Sequence, residues 1–461
     1  MKIDVTATDL DDTGCGVGQA GGRTIHVAEL LPGEWAEVAI DHASPHRPEA
    51  WGRIVRRIGP ASPERVEPAC PAFGRCGGCT WQHLAYGAQL AAKRARVVAA
   101  LAAVPGAVEV AEVRPSPTEL GYRNKGKYVV GAAGNGDLIL GAYAPRSHHV
   151  VDTLGCRVVA PVIDEVATWL RGAAAGAAIL PYDERTRSGE LRYAIVREVD
   201  GDVMVVLVVT SSAPRAKLEK VANAMAKHPA VRGLVAIAND RRDGAIVPSG
   251  SAARVLIGHG HLVEKLAGVA IEVGASEFLQ VNRVQAAAMY ARVAALAAGA
   301  PPSHESARSG LLAGPRRAVD LFAGLGGIGL HLARAGTEVI AVEIDRDAVA
   351  QLRRAAEAAG LPLTAIAGDA GAIAGDVRAR LGEAPDVVVV NPPRKGLAGA
   401  LALVVELAAP TVIYVSCGPE SLGRDLVALA GHGYTPDAIE PFDLMPGTAQ
   451  VETVVRLRRG S

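Results

Sequence analysis

From Ala318 onward the apolar positions fall into short, β-branched runs: AVDLF, EVIAVE, TAIA, DVVVV and TVIYVS. Each is followed by a turn and a stretch with helical spacing. The runs end near Phe322, Val342, Ile366, Val390 and Ser416, about 25 residues apart, which is the repeat of strand–helix units in a parallel sheet. The end of the chain breaks this rhythm. GYTPDAIEPF and AQVETVVRLRR are two strands joined by a loop alone, so they predict a terminal antiparallel pair.

The first 60 residues read differently. Apolar and polar positions alternate through GVGQAGGRTIHVAELLPGEWAEVAI and WGRIVRRI, with turns at Gly21-Gly22 and Pro32-Gly33, and a small β-barrel fits that length. Residues 61–275 mix both periods. A proline-flanked cysteine loop precedes a helix over roughly Tyr86 to Ala103, then come VVDTLGC, the helical APVIDEVATWLRGAAA, and the strands LRYAIVREV, VMVVLVVT and GLVAIAN. EFLQVNRVQAAAMYARVAALAA leads into a helix, and the Pro-, Ser-, Gly- and Arg-rich residues 297–317 predict a mobile linker. The expected organisation is a multidomain α/β protein: a β-barrel over 1–60, a central α+β domain over 61–275, and a parallel-sheet domain over 276–461.

Composition narrows the class. Arg171 and Glu406 interrupt the longest apolar stretches before membrane-spanning length, and MKIDVTATDLDD lacks the apolar core of a secretory signal, so a soluble cytoplasmic protein is expected. Forty-eight basic residues balance 48 acidic ones, and any nucleic-acid surface must therefore be local. The best local stripe is Arg123, Lys125 and Lys127, which share one face of a strand; an ordinary solvated face is the competing reading. Six cysteines in such a chain argue against a disulfide framework. Cys70, Cys76 and Cys79, with small Gly77 and Gly78 between the last two and Cys156 far downstream, can wrap one metal centre, either zinc or an iron–sulfur cluster. Cys15 has no partner in the pattern.

Candidate chemistry gathers at the ends of the C-terminal strands. Gly324, Gly326 and Gly329 satisfy G-x-G-x-x-G between a strand and a helix, a turn that fits a dinucleotide or S-adenosylmethionine. Glu343 ends the next strand, where a carboxylate accepts hydrogen bonds from a ribose diol. Asp369 ends the third, placed to bond an adenine edge, and Asn391 ends the fourth in NPPRKGL. Cys417 ends the fifth. A thiol there reads either as a small buried side chain or as a nucleophile toward electron-poor carbon. Hydride transfer has no use for it, whereas methyl transfer to a pyrimidine carbon does.

These motifs carry a resemblance. Over nearly all its length the chain resembles the uracil-5-carbon RNA methyltransferases, bacterial enzymes that make 5-methyluridine in transfer or ribosomal RNA. The barrel looks like their TRAM-type RNA-binding domain, CPAFGRCGGCTWQHL resembles their iron–sulfur loop, FLQVN their cofactor and base contact, YVSCGPESLGRDL their nucleophile motif, and MPGTAQVETVV their general-base motif. The resemblance implies a Rossmann-like class I methyltransferase sheet and a 4Fe-4S cluster on Cys70, Cys76, Cys79 and Cys156 with a structural role. It implies S-adenosylmethionine held by Gln280, Phe322, Gly324, Gly326, Gly327, Glu343, Asp369 and Asn391. Cys417 is then the nucleophile that adds to carbon 6 of uracil, Glu452 the base that removes the proton from carbon 5, and Phe278 the ring that stacks on the extruded base. The target is a structured loop of tRNA or 23S rRNA, met by a monomer with no obligate protein partner. Four positions depart from the family pattern: Asn391 replaces a usual aspartate, Gly327 and Gly418 replace common asparagines, and Ala323 a common cysteine. Asn391 keeps a related carbon methyltransferase with a shifted substrate in view. A catalytically silent RNA-binding assembly factor is the alternative from another class, and a nicotinamide enzyme rests only on the glycine pattern.

Overall fold

A computed structural model describes residues 2–241, 245–248, 250–301 and 315–460. Most of the predicted linker, residues 302–314, lies outside the described residues. Two compact units emerge: one from Met1–Ala92, Thr118–Leu262 and Met445–Ala449, the other from Lys93–Pro117, Val263–Leu444 and Gln450–Ser461.

The first unit holds two sheets. Six strands in the order Lys2–Thr6, Trp35–Ala43, Glu49–Arg57, Arg23–Val27, Gly16–Ala20 and Asp9–Leu10 wrap a core of Val5, Ile25, Val27, Leu30 and Val38. Gly21 and Gly22 form the two-residue turn between Ala20 and Arg23; both adopt positive φ, which glycine reaches without steric cost. A second, seven-stranded sheet includes the basic strand Lys125–Ala132, and the helices Pro161–Gly176 and Arg215–Met225 pack Ile163, Val166, Leu170, Leu218 and Val221 into its core.

The second unit realises the periodic half of the sequence. Its strand order is Leu363–Ala367, Glu338–Glu343, Arg317–Leu321, Val387–Val390, Thr411–Ser416, Glu452–Arg459 and Tyr434–Phe442, and the first five run parallel. Helices cover these strands, which explains why VVVV at 387–390 is buried at every position instead of alternating. The last two strands are antiparallel, as the loop between them requires. Chain order reverses between Arg317–Leu321 and Val387–Val390, the switch point at which open α/β sheets leave a crevice for ligands. Among the described residues, no helix is long and apolar enough to cross a membrane.

Candidate active site at the strand ends

Register decides what meets the thiol. Ser416 pairs with Thr453 across the antiparallel ladder, so the next residues outward, Cys417 and Glu452, emerge together at the carboxyl end of the strand Thr411–Ser416. The turn bearing Cys417 is fixed locally: the Gly418 N–H donates to Ser416 Oγ at 3.1 Å, and Ser421 Oγ donates to the Gly418 carbonyl at 2.9 Å. Pro419 then opens the helix Pro419–Ala430, a position that needs no backbone donor.

Arg394 completes the group. Its guanidinium hydrogen-bonds the Cys417 thiol, faces Glu452, and donates from Nη2 to Gln450 Oε1 at 3.0 Å. The loop that carries it is pinned by Asp425, whose Oδ2 accepts from the Leu397 N–H at 2.7 Å and from the Tyr414 hydroxyl at 2.6 Å. Burial and the nearby Glu452 carboxylate push the Cys417 thiol up, and Arg394 opposes them. Burial likewise pushes Glu452 up to about 7, against a hydrogen bond from Gln280 and the charge of Arg394. A carboxylate poised there takes up and releases a proton near neutrality, as a general base must.

The glycine loop lies at the switch point. Gly326 has a φ of 84° and Gly324 one of 55°, while Phe322, bearing a side chain, also sits at 63°. That conformation is costly for a bulky residue and persists where the surroundings enforce it, commonly at ligand sites. Glu343 holds the loop: its Oε2 accepts from the Gly324 N–H and its Oε1 from the Asp345 N–H, both at 2.9 Å. Asp369 caps its own turn, accepting from Gly371 N–H at 2.7 Å, and the backbone N–H of Asn391 donates to the Leu321 carbonyl at 3.2 Å. Gln280 precedes the helix Arg283–Ala297, whose N-cap is the Asn282 side chain, and it meets Glu452 directly. Phe278, in the same segment, is 72% exposed, an unusual state for a large aromatic ring.

Three contributors escape a reading of the sequence. Arg394 lies three residues past Asn391 in a turn, and only the fold brings it to the thiol. Asp320 is a charge inside the apolar run AVDLF, a signal that was available. It is buried, pushed up to about 7 by burial and by Glu343, its Oδ2 accepts from the Gly329 N–H at 2.9 Å, and its Oδ1 has no hydrogen-bond partner among the described residues. Tyr290 explains the small residue at 327, because a Cβ there would meet its ring at 2.7 Å.

The other sulfur-rich region belongs to the first unit. Cys76 lies in the electrostatic reach of Cys70 and Cys156, and Cys79 in that of Cys76 and Cys156. All are reduced and partly exposed. Among the described residues, however, no group of three or more His, Cys, Asp or Glu side chains is disposed to hold a metal ion, so metal binding is not shown. Burial pushes Cys79 up to about 11, opposed by Arg123. Tyr122, Asn124, Gly126 and Tyr128 are buried, which leaves Arg123, Lys125 and Lys127 on the opposite face. Lys127 is exposed, but Arg123 is occupied: it faces the cysteines, and its Nη2 donates to Met445 Sδ at 3.3 Å.

Comparison with known proteins fits this geometry. Residues 311–412 match the family model of the methyltransferase small domain. The chain is 32% identical to an uncharacterised RNA methyltransferase of Halalkalibacterium halodurans, over 99% of this chain and 96% of that one. It is 33% identical to another from Thermosynechococcus vestitus, over 99% and 97%. Its fold matches the crystal structure of the Pyrococcus abyssi tRNA (uracil-54, C5)-methyltransferase in complex with S-adenosyl-L-homocysteine, with a TM-score of 0.76 and 23% identity over 98% of this chain and 99% of that one.

Proposed function

The chain belongs to the RNA methyltransferase family, and on that premise we propose that it transfers the methyl group of S-adenosylmethionine to carbon 5 of a uridine in a structured loop of tRNA or 23S rRNA. The observation that carries this reading is the convergence of Cys417, Arg394 and Glu452 at the strand ends. A nucleophilic sulfur, a cation to steady its thiolate, and a carboxylate that titrates near neutrality are what addition to carbon 6 and later removal of the carbon 5 proton demand. The cofactor is held by the glycine loop Gly324, Gly326 and Gly327, strained Phe322, the ribose carboxylate Glu343, Asp369 and Asn391. Gln280 stands between cofactor and base through its bond to Glu452. Phe278 offers its open face to the extruded uracil, where base–aromatic stacking contributes about 1–3 kcal/mol.

In the first unit, the six-stranded sheet and Lys125 and Lys127 serve as the RNA-facing surface, the sheet in the manner of a TRAM domain. In this reading Cys70, Cys76, Cys79 and Cys156 hold a 4Fe-4S cluster, as the resemblance of CPAFGRCGGCTWQHL to an iron–sulfur loop suggests, and Arg123, which acts on Cys76 and Cys79, offsets the negative charge such a centre brings. Once bound, the cluster cross-links chain segments far apart in sequence. A cytoplasmic location fits an RNA substrate.

The test is nucleoside mass spectrometry on RNA from a strain lacking this gene, before and after incubation with the purified protein and S-adenosylmethionine. Restoration of 5-methyluridine at one position is expected. Methylation of a different carbon would transfer the assignment to a related carbon methyltransferase, the outcome to which Asn391 points. Binding of RNA with no cofactor binding by calorimetry would make the protein an assembly factor.

A further inference from the structure

Three rings stand in a row on the outward face of the six-stranded sheet. Along Glu49–Arg57 the residues Ala50 and Gly52 are buried, so Trp51 between them points away from the core. Its cross-strand partners are His26 on one side and His42 on the other. The register turns these pairs into a stack. The rings of His26 and Trp51 have centroids 5.1 Å apart and planes 15° from parallel, and those of Trp51 and His42 are 5.7 Å apart at 29°. Ring pairs of this kind stabilise a sheet, but the two ends of the row differ in a way that stability does not require.

The inner end is locked. His26 Nδ1 bonds Asp11 Oδ2 at 2.7 Å, and Asp11 Oδ1 accepts from the Thr13 N–H at 2.8 Å, the Thr13 hydroxyl at 2.7 Å and the Cys15 N–H at 2.9 Å. Only 15% of the His26 side chain is exposed. The outer end is open. The strand Lys2–Thr6, which flanks Trp35–Ala43 on that side, pairs with Trp35 through Ala39 and stops short of His42, and His42 is exposed. The turn that follows is tied to itself: the Ser44 N–H donates to the Glu49 carbonyl at 2.9 Å, and Ser44 Oγ accepts from the N–H groups of His46 at 3.3 Å and Arg47 at 3.2 Å. His42 therefore projects from a fixed edge, as the exposed last ring of an ordered stack.

Charge contributes little here. Asp11 is spent on His26, and the exposed Arg53, two residues past Trp51 on the same face, is joined to Asp41 at 3.1 Å. What the row offers a partner is a π face. Every nucleobase has one, and an aromatic side chain stacks on it without regard to sequence, provided the base is unpaired.

We infer that this row is a stacking platform for one unpaired nucleobase of the RNA, which lies on the open face of His42 and extends the stack by one ring. The inference rests on the reading of this sheet as an RNA-facing surface given under the proposed function. It names the state of the RNA met there: a single-stranded nucleotide distinct from the target uridine, which that reading assigns to Cys417 and Phe278.

The experiment measures binding of the full chain to a short oligouridylate by fluorescence anisotropy across a salt series, for wild type, His42→Ala, His42→Phe and His46→Ala. His42→Ala is expected to weaken binding about tenfold. The slope of log affinity against log salt should stay unchanged, because stacking releases no counterions. His42→Phe keeps an aromatic face and carries no charge, and it should bind within about threefold of wild type. His46→Ala, in the adjacent turn and outside the row, should match wild type. Wild-type affinity in His42→Ala overturns the proposal. So does a loss that His42→Phe or His46→Ala shares, or a loss that flattens the salt slope. A lower melting temperature with unchanged affinity would make the row a brace of the sheet and overturn it equally. If the wild-type chain itself leaves the oligouridylate unbound, the RNA-facing reading of the sheet fails; with wild-type binding intact, only the assignment of His42 is at stake.

Discussion

Two regions of this molecule place partly buried thiols in loops, and they differ in what stands beside the sulfur. At Cys417 there is one thiol, a carboxylate and an arginine that hydrogen-bonds the sulfur; around Cys76 and Cys79 the largest influences are burial, further thiols and an arginine. Burial raises all three groups, so burial alone does not separate a nucleophile from a structural or ligating cysteine. The difference lies in whether a proton acceptor shares the site. Glu452 gives the first region a route for a proton near neutral pH, whereas the main influences on Cys76 and Cys79 are other thiols and Arg123.

The largest effect expected from breaking this contrast is at the lone thiol. Cys417→Ala removes the covalent route, and steady-state methylation should fall by about four orders of magnitude or more, while cofactor affinity measured by calorimetry stays within about threefold. Arg394→Met comes next. Loss of one preorganised donor to a developing anion costs about 10²–10³ in turnover, and the alkaline shift of thiol reactivity toward iodoacetamide should reveal the lost stabilisation of the thiolate.

Titration sharpens the same contrast. With Glu452 near 7, product release limited by the base should rise about tenfold between pH 6 and pH 8 and flatten above. The stability effect has the opposite sign. Glu452 binds its proton more tightly in the folded chain than in the unfolded one, so its contribution is full below about pH 4.5 and is lost as pH rises through about 7. Glu452→Gln should therefore melt higher than wild type at pH 8 and lose that advantage by pH 4, as thermal denaturation across pH would record.

The smallest effect on methyl transfer belongs to the other arginine. Arg123→Gln should lower the melting temperature by a few degrees, yet leave single-turnover methyl transfer within about threefold. A drop comparable to that of Arg394→Met would erase the distinction between the two regions.

Much of the catalytic half was legible before any coordinates. The strand–helix repeat is local, so AVDLF through TVIYVS announced the parallel order, and the loop between GYTPDAIEPF and AQVETVVRLRR announced the antiparallel end. Cys417 stood out because an apolar strand ended on a reactive group. Arg394 did not, because its partners Cys417 and Gln450 come from other loops and their meeting depends on how Asp425 pins the turn. The interleaving of the two units was equally hidden: residues 93–117 leave the unit of their neighbours, and 445–449 join the unit of Trp81 and Tyr122, through contacts spanning more than 300 residues of sequence. Periodicity carries no information about such pairings. Asp320 is the exception, a lone charge in an apolar strand that sequence displayed and that burial makes consequential.

The most direct measurement uses RNA carrying 5-fluorouridine, in which carbon 5 has no proton to surrender. The wild-type protein with S-adenosylmethionine should form a denaturation-resistant complex whose cross-linked peptide contains Cys417. Failure to form it, or its persistence in Cys417→Ala, would contradict the account.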